Sequence, residues 1–182
     1  MRKVDSVRLL IDLGADVTAK DETHTTPLHL ASSSGMPDIA QLLIERGADV
    51  TARDKSAKTP LHLASSKVCP RTRSLLVQHK LDANKQYDSD IMQHNPGQSE
   101  DKVKTVLLLI EHGADVKAQD ENHRTPLHMA SSSEIPQIVW HLIEHGADAF
   151  ERDWRHRTPL HLVSSWVNAE VVLFVIRWAD IS

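Results

Sequence analysis

Twelve histidines are spread over 182 residues, and histidine is the side chain that most readily moves protons or binds metal near neutral pH. Residues 141–145 read HLIEH, which matches the H-x-x-E-H spacing of one group of zinc peptidases. Such a site also needs a third protein ligand and an open cleft. Here the intervening Leu142 and Ile143 belong to an apolar helix face, so the match is read as chance. The single cysteine, Cys69, has Lys67 and Arg71 close in sequence but no helical context that obviously lowers its pKa, and is read as a bystander thiol. There is no glycine-rich phosphate loop, paired-carboxylate motif or Ser/His/Asp set. No catalytic residue, metal site, cofactor or small-molecule substrate is assigned, and the chain is expected not to be an enzyme.

Four of the histidines instead mark a repeat. They stand in TPLHLA at 26–31, TPLHLA at 59–64, TPLHMA at 125–130 and TPLHLV at 158–163. Gly14, Gly47, Gly113 and Gly146, each opening Gly-Ala-Asp, follow the same spacing of 33, 66 and 33 residues. A leading half unit (1–17) and five units, 18–50, 51–83, 84–116, 117–149 and 150–182, account for the whole chain. The third unit keeps the length but has MQHNPG at 92–97 where TPLH is due. Because the frame is kept, the sequence reads as one degenerate unit with nothing inserted.

The elements follow from the residues. Pro27 suits the first turn of a helix, where its missing N–H is not needed, and Thr26 before it is placed to cap that helix. Ile39, Ala40, Leu42, Leu43 and Ile44 form the apolar face of a second helix, which Gly47 ends in the left-handed conformation. The polar stretch Asp16 to Thr25 reads as an extended hairpin loop. One such unit cannot bury its apolar face alone, so neighbours must stack. His141 stands where Leu42, Leu75, Leu108 and Phe174 stand in the other units, and a satisfied, half-buried ring is expected there.

A 33-residue period carrying T-P-L-H-x-A resembles the ankyrin repeat from end to end of the chain. The resemblance implies an all-α repeat fold: a solenoid of stacked helix-turn-helix units with projecting β-hairpin fingers, here with a degenerate unit in the middle. It also implies that the TPLH histidine bonds locally and between repeats. The glycine usual at the finger tip is replaced by His24, Ala57, His123 and His156.

Partners of such folds usually contact the fingers and the exposed side of the first helix. By register the finger residues are Lys20, Glu22, Thr23 and Thr25; Arg53, Lys55, Ser56 and Lys58; Gln119, Glu121, Asn122 and Arg124; and Arg152, Trp154, Arg155 and Arg157. Their charges are 0, +3, 0 and +3, a total of +6 on a chain of net charge −4, which leaves −10 elsewhere. That asymmetry predicts a basic inner surface that steers an acidic protein partner. Trp154 with its neighbouring arginines, and Trp166 on the groove side of the last first-type helix, are residue types enriched in interface hot spots. The expected contact set is Arg53, Lys55, Lys58, Arg124, Arg152, Trp154, Arg155, Arg157 and Trp166. Leu107, Trp140 and Leu173 share one register on the outer helices and form a second candidate surface.

The function expected is a non-enzymatic protein-interaction scaffold. The alternative is a regulatory or targeting segment of a larger enzyme or signalling protein. Bulk acidity and a 4% aromatic content argue against nucleic acid. The longest apolar run, VVLFVI at 171–176, is too short to span a bilayer. One cysteine and no apolar leader after Met1 fit an intracellular protein, cytoplasmic or nuclear. Both ends lack a polar capping unit, as in a fragment of a longer array or an array whose ends other chains cover. Residues 86–101 are expected to be irregular or only partly helical, because Asn95-Pro96-Gly97 favours a turn.

Overall fold

The computed structural model describes residues 3–66, 96–133 and 135–163. Eight helices lie among them: α1 (Lys3–Asp12), α2 (Pro27–Ser33), α3 (Pro37–Glu45), α4 (Pro60–Ser65), α5 (Pro96–Glu111), α6 (Pro126–Ser131), α7 (Pro136–Glu144) and α8 (Pro159–Val163). They stack in two rows. The inner row is α2, α4, α6, α8 and the outer row α1, α3, α5, α7, with α2 on α3, α4 on α5 and α6 on α7. This is an all-α repeat solenoid with one continuous apolar core.

Local chemistry explains each inner helix. Pro27, Pro60 and Pro126 open the first turn, and Thr26, Thr59 and Thr125 cap it from extended backbone. The Thr26 N–H donates to Nδ1 of His29 at 3.2 Å, and the same bond recurs at Thr59–His62 and Thr125–His128. Nε2 then donates to a carbonyl of the next finger: His29 to Lys58, His62 to Arg124 and His128 to Arg157, at 3.1, 2.9 and 3.1 Å. One ring nitrogen accepts and the other donates, so each imidazole is neutral and pinned between layers. These rings are buried with relative exposures of 0–1%. Burial pushes their pKa values down, against the opposing pull of the carbonyl bonds.

Outer helices bury Ala40, Leu42 and Leu43 in α3 and Ile138, Val139, Leu142 and Ile143 in α7. They end at glycines of positive φ, 91° at Gly47 and 89° at Gly146, where an L side chain would be strained. The expected β-hairpin fingers are not β-strands, since no strand occurs among the described residues. Each finger is closed by a single backbone rung, such as Asp21 N–H to Thr25 O at 3.1 Å, and is too short to start a ladder.

The middle of the chain departs from five equal units. Helix α5 packs on α4 and lies between α3 and α7, and α4 meets α6 directly. The histidine bond from α4 makes the same point. His29 and His128 each reach a carbonyl 29 residues on, but His62 reaches one 62 residues on. Among the described residues, the inner helix of unit 51–83 is thus paired with the outer helix of unit 84–116.

In sequence register, Arg73 corresponds to Ala40, Val106 and Val139, which are 0, 0 and 2% exposed, and Lys80 to Gly47, Gly113 and Gly146, which take φ of 91°, 86° and 89°. Residues 102–111 supply Val106 and Leu109, both 0% exposed.

Of the segment 86–101, expected to be irregular or only partly helical, residues 96–101 are described and are helical. Pro96 begins α5 for the reason Pro27 begins α2. Lys102 is fully buried at the register of Met36 and Ile135, and its ammonium donates to the carbonyls of Ala64 and Ser66 at the end of α4. A cation suits that carbonyl-rich helix end. Residues 86–95, Cys69, Trp166, Leu173 and the run 171–176 lie outside the described residues.

Candidate functional site

Each finger is built on one aspartate. Asp21 accepts the backbone N–H groups of Thr23 and Thr25, both at 2.8 Å. Asp54 does so for Ser56 and Lys58, Asp120 for Asn122 and Arg124, and Asp153 for Arg155 and Arg157, over 2.8–3.0 Å. The carboxylate takes the place of the missing strand partner and holds the loop tight. At the tips, His24, Ala57, His123 and His156 all adopt positive φ, 55–60°. The left-handed turn is therefore kept without glycine, at a cost of about 1–2 kcal/mol per residue. The side-chain hydrogen bond from Thr23 holds the Asp21 carboxyl below its ordinary value. Burial alone would push Asp153 up, but the side-chain and backbone bonds from Arg157 outweigh it and hold it down.

The fingers are tied side by side. Lys55 N–H donates to Thr23 O at 2.9 Å, Glu121 N–H to Ser56 O at 3.0 Å and Trp154 N–H to Asn122 O at 3.1 Å. The finger at 53–58 is bonded directly to the finger at 119–124. Arg53 reinforces that junction, donating from Nη1 to Gln119 O at 3.0 Å.

The cations expected to contact a partner divide into two groups. Arg124 pairs with Asp120 at 3.2 Å and Arg157 with Asp153 at 2.8 Å, both carboxylates being fully buried. These arginines are spent inside their own fingers. Lys58 is half-buried, and its carbonyl receives His29. Lys55 and Arg152 are exposed, and no ion pair engages either among the described residues. Trp154 is 53% exposed, with the Arg155 guanidinium 4.5 Å from its ring centroid. That stack orders both side chains while leaving the guanidinium edge accessible.

One feature was missed by sequence reasoning: Leu30 is 59% exposed on α2, although its pattern reads as core. Glu121, placed on the third finger by register, is exposed at the tip between the two basic fingers. The aspartates were legible in principle, since Asp21, Asp54, Asp120 and Asp153 follow the repeat spacing.

The outer-helix candidates resolve differently. His141 is half-buried with Nδ1 3.3 Å from Glu144, while His145 Nδ1 donates to the His141 carbonyl at 2.7 Å. These rings are engaged with their own helix. Leu107 is half-buried, and Trp140 is 49% exposed with its indole N–H on Glu144.

Comparison with known proteins places this architecture. A family model described as ankyrin repeats in three copies matches residues 1–87 and 97–182. A mouse protein phosphatase 1 regulatory subunit 27 is 53% identical over 38 residues, which is 21% of this chain and 25% of that protein. The human protein of the same name is 50% identical over 38 residues with the same coverage. The chain thus spans about a quarter of the length of these relatives.

Proposed function

The chain belongs to the ankyrin-repeat family, and from that premise we propose a non-enzymatic scaffold that binds an acidic protein segment through its basic finger tips and the adjoining groove. Repeats of this family are protein-interaction modules. The observation that carries the finer reading is the Trp154–Arg155 stack on an exposed finger tip. An exposed tryptophan already ordered by a cation gives contact area at small further entropy cost. Lys55 and Arg152 extend the positive edge on either side. We propose Arg53, Lys55, Arg152, Trp154 and Arg155 as the contact residues, and residues 1–182 as a single repeat domain. No described helix is long and apolar enough to cross a membrane. We place the protein inside the cell.

Capture from a lysate, with contact segments mapped by cross-linking, tests the reading. Segments cross-linked to the fingers are expected to be net acidic and to be lost in the W154A/R155A double variant. Neutral or basic segments, or capture unchanged in the variant, contradict it.

A second reading has its own support. The similarity to a phosphatase regulatory subunit fits a regulatory segment that works alongside a catalytic protein. Identification of an enzyme among the captured proteins, with its activity altered by the chain, favours it.

A further inference from the structure

We infer that the acidic partner carries two separate acidic clusters, spaced to meet the second and fourth fingers of the described stack. This rests on the proposed reading of the fingers as an acidic-segment site.

The bonds Lys55 N–H to Thr23 O, Glu121 N–H to Ser56 O and Trp154 N–H to Asn122 O fix the order along the stack as 20–25, 53–58, 119–124 and 152–157. The exposed charges along that order alternate. The first finger sets Lys20 against Asp21 and Glu22, the second presents Arg53 and Lys55, the third Glu121, and the fourth Arg152 and Arg155. Arg124 and Arg157 do not disturb the pattern, because Asp120 and Asp153 neutralise them. The surface therefore offers two positive points with a negative one between them.

Each finger is a pair of chain segments, so adjacent fingers stand about 10 Å apart and the two basic ones about 20 Å. An extended peptide rises about 3.3 Å per residue, so its acidic clusters should be centred about six residues apart. The direct bond between the fingers at 53–58 and 119–124 sets that distance. Were residues 84–116 a full layer between the fingers at 53–58 and 119–124, the basic fingers would lie about 30 Å apart and the clusters about nine residues apart. Residues facing Glu121 should not be acidic, since like charges at a close approach oppose binding.

The test uses the full chain and fluorescein-labelled peptides carrying two Glu-Glu pairs centred about three, six or nine residues apart, with neutral spacers. Binding is followed by anisotropy at about 50 mM salt, where exposed charges are weakly screened. The six-residue peptide is expected to bind at least about fivefold tighter than the others, through simultaneous engagement of two sites. K55E and R155E, each alone, should abolish that preference. E121Q should tighten binding of a continuous Glu tract. An optimum at nine residues, or equal binding at all spacings, overturns this inference while leaving the acidic reading standing. Failure of every acidic peptide to bind overturns both.

Discussion

Two layers of the stack reach the same geometry by different routes. Helices α2 and α3 are separated by Ser34, Gly35 and Met36, whereas α4 and α5 are separated by residues 66–95. Yet Leu43 and Leu109, at one register, are 3 and 0% exposed, and both layers pass a histidine bond to the next finger. A layer thus requires an inner helix begun by Thr-Pro and an outer helix with a small or aliphatic core face ended by glycine. It does not require that the two helices be close in sequence. What the spliced layer adds is Lys102, which meets the open end of α4 where a regular layer has an apolar residue.

The comparison can be attacked at its core first. Leu43→Ala and Leu109→Ala should each destabilise by about 2–5 kcal/mol in chemical denaturation. A much smaller loss at Leu109 would show that α5 does not close the layer as α3 does.

Next is Gly35, whose φ is 60° and whose added β-carbon would lie 2.8 Å from Lys102 Cγ. Gly35→Ala should cost about 1–2 kcal/mol from backbone strain alone, plus a part relieved by Lys102→Ala. Additive effects in the double-mutant cycle would break the link between the regular loop and the spliced helix.

Ser32 and Ser65 are buried at one register, and neither hydroxyl has a hydrogen-bond partner among the described residues. Ser32→Ala and Ser65→Ala should each stabilise by about 1 kcal/mol, equally in the two layers. Ala57→Gly, at the left-handed tip of the finger that leads into α4, should stabilise by up to about 1 kcal/mol. Unequal serine effects, or a loss on Ala57→Gly, would show that the spliced layer is strained in a way the regular one is not.

Acid acts on both layers together. Burial depresses the pKa of His29, His62 and His128 below the unfolded value of about 6.5. Between the folded and unfolded pKa values the unfolded chain binds more protons, so stability is full above about pH 6.5 and falls as pH drops below it. Denaturation midpoints measured from pH 8 down to about pH 5 should follow that slope, and His62→Gln should shed part of it. A flat profile over that range would deny the neutral, pinned state of the rings.

How much of this was legible in the sequence depends on what sets each feature. The Thr-Pro starts, the glycine stops and the four finger tips are decided within a few residues, and they read directly from the repeat. The histidine bonds followed from the family resemblance. The pairing of α4 with α5 was hidden because the histidine span at α4 exceeds the regular one by one repeat length, which leaves a count of periods unchanged. At the candidate site, counting charges overstated the basic surface. Arg124 and Arg157 each stand four residues after an aspartate, and only the turn that buries Asp120 and Asp153 turns that spacing into an ion pair.

Two deletions of equal length test the central claim most directly. Removing residues 67–99 joins the two halves that pack together, whereas removing 84–116 leaves α4 with only the half unit that follows it in sequence. If α5 closes the layer of α4, the first variant melts cooperatively, with helical content and stability close to the full chain, and the second loses a large part of both. A second variant as stable as the first, or more so, would contradict the account.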